Sequence, residues 1–121
     1  MSESVGATVD LALFRLVYYR LPVKVRRRVA LLSAQELEEI AKSISDGEAS
    51  IQLLAHAVSY LLTAVGDALG VEVYSRDDER EAVEFLAVKS GDSEVYTCYV
   101  KMGESVECAR KLLEKLKEYV K

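Results

Sequence analysis

The sequence predicts an α+β domain, in which a small antiparallel sheet packs against a layer of helices. Residues 49–66 form a run of 18 uncharged residues, as expected of a long buried helix. After Gly70 the apolar residues change from helical spacing to alternation, which is the pattern of strands. A chain of 121 residues, 50% of them hydrophobic and 30% charged, is long enough for one packed core. We therefore expect a single domain over residues 1–121, with residues 1–7 disordered.

The first helix is expected over residues 8–21, where apolar side chains recur at spacings of three and four. Thr8 can cap its beginning, because a threonine hydroxyl accepts hydrogen bonds from the free backbone N–H groups of a first turn. Pro22 disfavours helical geometry at the residue before it, which predicts the end of this helix.

Residues 22–32 fit two different structures. In an edge strand the valines would share one face and the cations the other, and the cations would discourage edge-to-edge aggregation. In a short helix with Pro22 in its first turn, Val25, Val29 and Leu32 would face inward. We favour the strand, which would be a fourth strand of the sheet.

The next helix is expected over residues 34–45. Ser33 and Glu36 form a capping box at its beginning, because each side chain can accept from the other residue's backbone N–H group. Asp46 and Gly47 then stop the helix.

The central helix is expected over residues 49–69 and ends at Gly70. It is apolar on most of its circumference, which predicts packing neighbours on several sides. One stripe has small side chains at a spacing of four, which would let another backbone come close. This candidate close-contact stripe consists of Ala55, Ser59 and Thr63.

A meander of three short strands is expected over residues 71–101. A charged turn at residues 75–81 and a hairpin loop at residues 90–93 would join the strands. A last helix is expected over residues 104–120, with acids in its first turns and lysines later, as the helix dipole favours.

The uncharged run at residues 49–66 is near the lower limit of a transmembrane length. Polar residues recur through it and no Lys or Arg flanks it closely, so we predict a buried helix and no membrane contact. The first ten residues carry acids where a secretory signal carries bases, which predicts a cytoplasmic protein. The chain has no Asn and two Gln beside abundant charge, a composition typical of thermophile proteins.

The strongest charge feature is the basic segment, residues 11–35, which holds six basic and no acidic residues. The whole chain carries a net charge of −4, so the remainder of the chain carries −10. Such a segment can contact phosphates, an acidic protein surface (another copy of this chain included), or its own neighbouring acids. The candidate contact residues are Arg15, Arg20, Lys24, Arg26, Arg27 and Arg28.

Residues 37–54 can also be laid on a helix-turn-helix template, with Ala41 as the small residue of the first helix. With the expected hairpin as a wing, the order of elements loosely resembles a winged helix, which implies DNA binding. The recognition helix would, however, present no basic residue. It would present Glu48, Ser50, Gln52 and His56.

The sequence shows no catalytic, cofactor-binding or metal-binding motif. His56 is the only histidine, and it does not form a standard zinc site with the cysteines because the ligand spacing and a fourth ligand are lacking. Cys98 and Cys108 would meet if the last helix folds over the last strand. They would then be either a disulfide or two buried thiols.

These features predict a non-catalytic small subunit or adaptor that uses no cofactor. It would act through protein–protein assembly, with a protein partner or as a homo-oligomer, and would use the basic segment as its contact. The alternative is a nucleic-acid-binding protein, either winged-helix-like or a small subunit of a ribonucleoprotein complex. That alternative would use Lys24 to Arg28.

Overall fold

A computed structural model describes residues 11–121, and all regular secondary structure in this range is helical. The predicted α+β class is therefore wrong, since the described range contains no strand. The predicted cap at Thr8 and the disorder predicted for residues 1–7 lie outside the described residues. The helices are α1 (residues 11–18), α2 (Val23–Ser43), α3 (Gly47–Leu69), α4 (Arg76–Ser90), α5 (Glu94–Lys101) and α6 (Val106–Val120).

The chain segment expected to form a three-strand meander contains α4 and α5 instead. Ser75 caps α4: its hydroxyl accepts from the Asp78 backbone N–H at 3.2 Å, and the Asp78 carboxylate accepts from the Ser75 backbone N–H at 3.1 Å. The charged run that predicted a turn therefore forms the first turns of a helix, where the dipole favours acids.

The expected hairpin loop at residues 90–93 is the end of α4. Gly91 has φ +69° and is the C-cap of this helix. Left-handed glycines end helices as readily as they form hairpin turns, so the loop residues alone did not distinguish the two structures.

The predicted edge strand at residues 22–32 is also wrong, because these residues form the first half of α2. Pro22 precedes the first helical residue, and its carbonyl accepts from the Arg26 backbone N–H at 2.9 Å. The expected helix over residues 34–45 is the second half of the same helix, so the predicted capping box at Ser33 and Glu36 lies in a helix interior.

The faces of α2 are the reverse of those in the alternative helical interpretation. Val25 and Leu32, expected to point inward, are exposed. The buried residues of this helix are mainly small, and they face α3 and α6. They are Ala30, Ala34, Glu38 and Ala41.

The central helix α3 lies close to its predicted position and packs against α2, α4 and α6. Asp46 caps its beginning by accepting from the Glu48 and Ala49 backbone N–H groups at 3.0 and 3.3 Å. Gly70 ends it with φ +83°. The largest buried side chains of α3 form the centre of the core; they are Leu54, Val58, Leu61, Leu62 and Val65.

Gly66 lets the chain that follows α3 turn back across the helix. A Cβ atom at this position would lie 2.5 Å from Val73 Cγ2 and 2.8 Å from the Val71 carbonyl oxygen. The Val71 backbone N–H also donates to the Gly66 carbonyl at 2.7 Å. The alternation of residues 71–74, which predicted a strand, belongs to this short connection, which has no regular secondary structure.

The last helix, α6, begins two residues later than predicted. Its N-cap Ser105 accepts from the Cys108 backbone N–H at 3.1 Å. Leu112, Leu113 and Leu116 are fully buried in the core around α3.

Among the described helices, α3 is long and apolar enough to span a membrane by length and composition alone, and 61% of its most apolar window is buried inside the protein. The central helix of a packed domain passes the same test, so this finding does not separate the two settings.

Candidate protein-interaction surface

The outer face of α2 exposes large apolar side chains along most of the helix. Val25, Leu32 and Ile40 are 48%, 52% and 43% exposed, and Val29 between them is half-buried. The spacings of four and three from Val25 to Leu32 place these side chains on one side of the helix. Their direction is opposite to that of the buried alanines, so this side points away from the core.

Charges on the outer face of α2 are separated along its length. Lys24 and Arg28 are exposed in the first half of the helix, and Glu36 and Glu39 are exposed in the second half. Glu39 makes one exposed ion pair, to Lys42 at 3.8 Å, which contributes little to stability. The outer face of α2 therefore combines an apolar stripe with a basic end and an acidic end.

A shallow groove of about 210 Å³ borders the acidic half of this face. Its lining combines α2 side chains with one residue of α3. They are Ser33, Glu36, Leu37, Ile40 and Tyr60.

Two of the six predicted basic contact residues form ion pairs with one carboxylate of the same chain. Arg26 donates to Asp67 from Nε at 2.8 Å and from Nη2 at 2.6 Å, and Arg27 donates to Asp67 from Nε at 3.2 Å. The Tyr18 hydroxyl also donates to Asp67, at 3.2 Å. The Arg26 guanidinium lies 5.4 Å from the Tyr18 ring centroid and 5.6 Å from that of Tyr19, within reach of a cation–π interaction.

The pKa values at this cluster follow from the same contacts. Burial acts to raise the pKa of Asp67, but the hydrogen bonds from Arg26 and Arg27 outweigh burial and hold this pKa below its ordinary value. Burial, and then the charge of Asp67, raise the pKa of the Tyr18 hydroxyl. Asp67 is therefore a charged, fully used acceptor at neutral pH.

Arg15, the third predicted contact, points into the protein. Its guanidinium pairs with Glu79, and both side chains are buried. The Tyr99 hydroxyl donates to the other Glu79 oxygen at 3.0 Å, and burial with the neighbouring Glu79 charge raises the pKa of Tyr99 to about 12. Arg15 therefore links α1 to α4 and is not part of the protein surface.

The remaining three predicted contacts, Arg20, Lys24 and Arg28, are exposed. Across residues 11–121, none of the three forms an ion pair with a carboxylate. The net charge of the basic segment is thus divided between internal pairs and a smaller set of surface cations.

The candidate close-contact stripe of α3 faces α1 of the same chain. Ser59 and Thr63 are buried, and Arg15 Nε donates to Thr63 Oγ1 at 3.5 Å. Phe14 of α1 and Tyr60 of α3 form an edge-to-face ring contact with centroids 4.4 Å apart. The small side chains therefore accommodate a neighbouring helix within the fold.

A cavity of about 400 Å³ lies between α1, α3 and α4, and His56 lines it together with Ser59, Ser75 and Glu79. The Nε2 atom of His56 is buried and has no hydrogen-bond partner among the described residues. No cluster of three or more His, Cys, Asp or Glu side chains that could hold a metal ion occurs in residues 11–121.

The hairpin expected to serve as the wing of a winged helix does not form, because α4 and α5 occupy that part of the sequence. The helix-turn-helix interpretation of residues 37–54 therefore has no wing. The residues assigned to a recognition helix form the first turns of α3, and Ser50 among them is buried with its hydroxyl donating to the Ala41 carbonyl at 3.3 Å.

The two cysteines come together as the sequence allowed, although they join two helices and not a strand and a helix. Cys98 on α5 and Cys108 on α6 are free thiols, and their sulfur atoms lie 2.8 Å apart.

Sequence reasoning missed two features. One is the pair of distant acids that bind three arginines of the basic segment, and the other is the exposed apolar stripe on α2. Asp67 is 41 positions from Arg26, and Glu79 is 64 positions from Arg15. One signal for Asp67 was present, because it is the first acid after 18 uncharged residues on a helix expected to be buried. A buried acid there required a cationic partner.

No family model, curated protein or solved structure matches this chain.

Proposed function

We propose that this protein is a non-catalytic assembly subunit that forms a homodimer through the outer face of α2. The observation that carries the proposal is the self-complementarity of this face. It has an exposed apolar stripe, a basic half and an acidic half, so that two copies placed antiparallel bring apolar groups together and opposite charges into contact.

A two-fold axis near Leu32 gives the pairing in detail. Arg28 lies four residues before Leu32 and Glu36 four residues after it, so Arg28 of each copy faces Glu36 of the other. Lys24 similarly approaches Glu39 of the other copy. A parallel arrangement would place Arg28 against Arg28 and Glu36 against Glu36, which is unfavourable. The charges therefore select the antiparallel dimer.

The apolar side chains fit the same axis. Leu32 packs against Leu32 of the other copy at the centre. Val25 lies seven residues before the axis and therefore approaches the part of the second copy that contains the groove beside Glu36 and Ile40. Such seating of an aliphatic side chain between neighbouring side chains of a facing helix is the packing of helix pairs.

The size of the contact predicts a moderate affinity. A helix of 21 residues is about 30 Å long. One helix pair of this length is at the small end of stable protein interfaces, which bury roughly 1,600 Å² in total. We therefore expect a dimer that dissociates in the micromolar range.

The apolar face of α1 is a weaker choice for self-association. It exposes Leu13, Leu16 and Val17, but the charged residue beside them is Arg20, and residues 11–35 contain no acid. Two copies meeting through this face would bring like charges together. On the outer face of α2, in contrast to α1, both signs of charge lie beside the apolar stripe.

Sedimentation velocity over a range of micromolar concentrations tests the dimer. The natural chain is expected to shift from monomer to dimer, whereas Leu32→Glu should stay monomeric because it places two carboxylates together at the axis. Val88→Glu is the matched control, since Val88 is 83% exposed on α4. This control should dimerise like the natural chain.

Charge reversal tests the pairing itself. Arg28→Glu and Glu36→Arg should each weaken the dimer by roughly tenfold, because each creates two like-charge contacts. The double variant restores opposite charges and should recover most of the affinity. A monomeric natural chain, or a double variant weaker than both single variants, would contradict the proposal.

Charge reversal at Lys24 tests the alternative partner, a nucleic acid. Labelled single- and double-stranded oligonucleotides would be titrated at low and high salt. If they bind with a steep salt dependence that Lys24→Glu abolishes, while the natural chain remains monomeric, the exposed cations contact phosphates and the assembly proposal is wrong.

A further inference from the structure

The thiols of Cys98 and Cys108 form a close pair between α5 and α6. Their sulfur atoms lie 2.8 Å apart, and the Cys98 thiol donates a hydrogen bond to the Cys108 sulfur. A disulfide bond is about 2.05 Å long, so a shift of under about 1 Å joins these atoms. Two cysteines whose side chains point apart cannot be bridged without backbone movement, whereas these two sulfur atoms already lie in contact.

The two thiols differ in their access to solvent. Cys98 is 2% exposed, whereas Cys108 is partly exposed. Burial, and then the hydrogen bond with Cys108, raise the pKa of the Cys98 thiol to about 11. Cys108 is therefore the sulfur that a reagent in solution reaches first, and Cys98 is the internal sulfur held beside it.

The surroundings do not provide other ligands for a metal at this pair. The charged side chains near the thiols are Glu94, Lys111 and Glu107, and Lys111 pairs with both acids at 3.7 and 3.4 Å. Within the described residues, no group of three metal-binding side chains includes either cysteine. Two adjacent thiols without further metal ligands are suited to reversible oxidation to a disulfide.

We propose that Cys98 and Cys108 are a modification site, a dithiol that a low-molecular-weight disulfide such as glutathione disulfide converts to an intramolecular disulfide. The Cys108 thiolate attacks one sulfur of the reagent, forming a mixed disulfide and releasing one reagent thiolate. The sulfur of Cys98 then attacks Cys108, releases the second reagent thiolate and leaves the protein disulfide. The protein loses two electrons and two protons, and the reagent becomes two thiols.

The disulfide would fix the beginning of α6 to α5. The closed loop contains only residues 98–108, and α6 supplies Leu112, Leu113 and Leu116 to the core around α3. A cross-link here restricts the unfolded chain, which raises the stability of the folded state. Residues 98–108 do not include any part of the outer face of α2, so oxidation should leave dimer formation unchanged.

Intact-protein mass spectrometry of the full chain tests the proposal. After incubation with glutathione disulfide, the chain is denatured and treated with an alkylating reagent. The natural chain is expected to lose two hydrogen atoms in mass, to take up no alkyl group, and to run as a monomer on a non-reducing gel. Dithiothreitol should restore two alkylatable thiols. The oxidised form should melt on the order of 10 °C above the reduced form.

The matched control moves one thiol by a single residue. Glu107→Cys combined with Cys108→Ala keeps two cysteines but turns the second sulfur away from Cys98, since the Glu107 side chain is 79% exposed. This variant should retain a glutathione adduct, and its melting temperature should not rise after oxidation. Cys98→Ala and Cys108→Ala, singly, show whether each reduced chain folds without the pair.

Three results would overturn the proposal. The first is a persistent glutathione adduct on Cys108 of the natural chain. The second is a disulfide between two chains. The third is the retention of both free thiols under excess glutathione disulfide while the shifted-thiol control reacts.

Discussion

Both faces of α2 carry aliphatic side chains, but those of one face are buried and those of the other are exposed. Its inner face buries small residues, Ala30, Ala34 and Ala41, while its outer face exposes Val25 and Leu32. If burial area alone decided the orientation, the larger aliphatic residues would point inward. The observed orientation shows that close approach of α2 to α3 outweighs the area of any one side chain.

The charged groups divide in the same way. On the inner side, Glu38 pairs with Lys117 of α6 at 2.8 Å, and Arg26 pairs with Asp67 of α3. On the outer side, Arg28 and Glu36 have no ion-pair partner among residues 11–121. Inner charges hold the helix in its orientation, and outer charges are available to a second molecule.

Removal of the Asp67 carboxylate is expected to cause the largest loss in the free energy of unfolding. The side chains of Arg26 and Asp67 are 15% and 9% exposed, so Asp67→Ala leaves a largely buried guanidinium unpaired. We expect a loss of about 3–5 kcal/mol in the free energy of unfolding, measured by denaturant titration at a concentration where the chain is monomeric. Asp77→Ala, whose native carboxylate is 87% exposed, should change it by under about 0.5 kcal/mol. Equal losses from both variants would show that Asp67 does not hold α2.

Enlarging the inner face should cost less than breaking its ion pair. Ala34 is fully buried, so Ala34→Leu forces α2 away from its neighbours and is expected to cost about 1–3 kcal/mol in unfolding free energy. The matched change on the outer face is Leu32→Ala, which should cost under about 0.5 kcal/mol in the monomer and weaken the dimer. If Leu32→Ala proves the more destabilising of the two in the monomer, the assignment of faces is reversed.

Lowering the pH should cause the smallest of these losses of stability. We expect the loss to arise from protonation of Asp67, the partner of Arg26 on the inner side of α2. Burial opposes ionisation of Asp67, but the Arg26 and Arg27 hydrogen bonds lower its pKa below the ordinary 3.8. The folded state therefore binds this proton less readily than the unfolded chain. The stabilisation is complete above about pH 4 and is lost as pH falls through the lowered pKa.

The measurement for this prediction is melting temperature against pH for the natural chain and for Asp67→Asn. The natural chain should lose more melting temperature below pH 4 than the variant. Asp78 and Asp92 also have lowered pKa values, set first by a backbone hydrogen bond from Tyr74 and by a hydrogen bond from Lys115, and they titrate in both proteins. Parallel curves would assign the acid sensitivity to these two carboxylates.

The sequence was informative where a helix has both a long apolar pattern and residues that mark its ends. The predicted helices at residues 49–69 and 104–120 correspond to α3 and α6, and Gly70 ends α3 as expected. The short helices α4 and α5 were taken for strands. The eight residues of α5 contain too few turns for helical spacing to stand out from alternation. The first six residues of α4 are all charged, so only its second half carries an apolar pattern.

The sequence located the region of the candidate surface but did not show which of its side chains are exposed. Six cations in residues 11–35 marked the region, yet which of them reach solvent depends on acids far along the chain. Asp67 and Glu79 form ion pairs with three of the six. Pairing over such sequence distances is set by helix packing, and no local pattern encodes it.

The amino-acid sequence by itself determined that α3 is buried, that the chain is divided into a basic segment and an acidic remainder, and that two cysteines stand near the junction of the last elements. These are properties of composition and short-range spacing. Only the tertiary structure decided that residues 23–32, 76–90 and 94–101 are helical, that alanines and not valines face the core from α2, and that Cys98 meets Cys108. The physical reason is that an apolar residue gains by burial on any available face, so the choice of face depends on which neighbouring helix comes close enough to cover it.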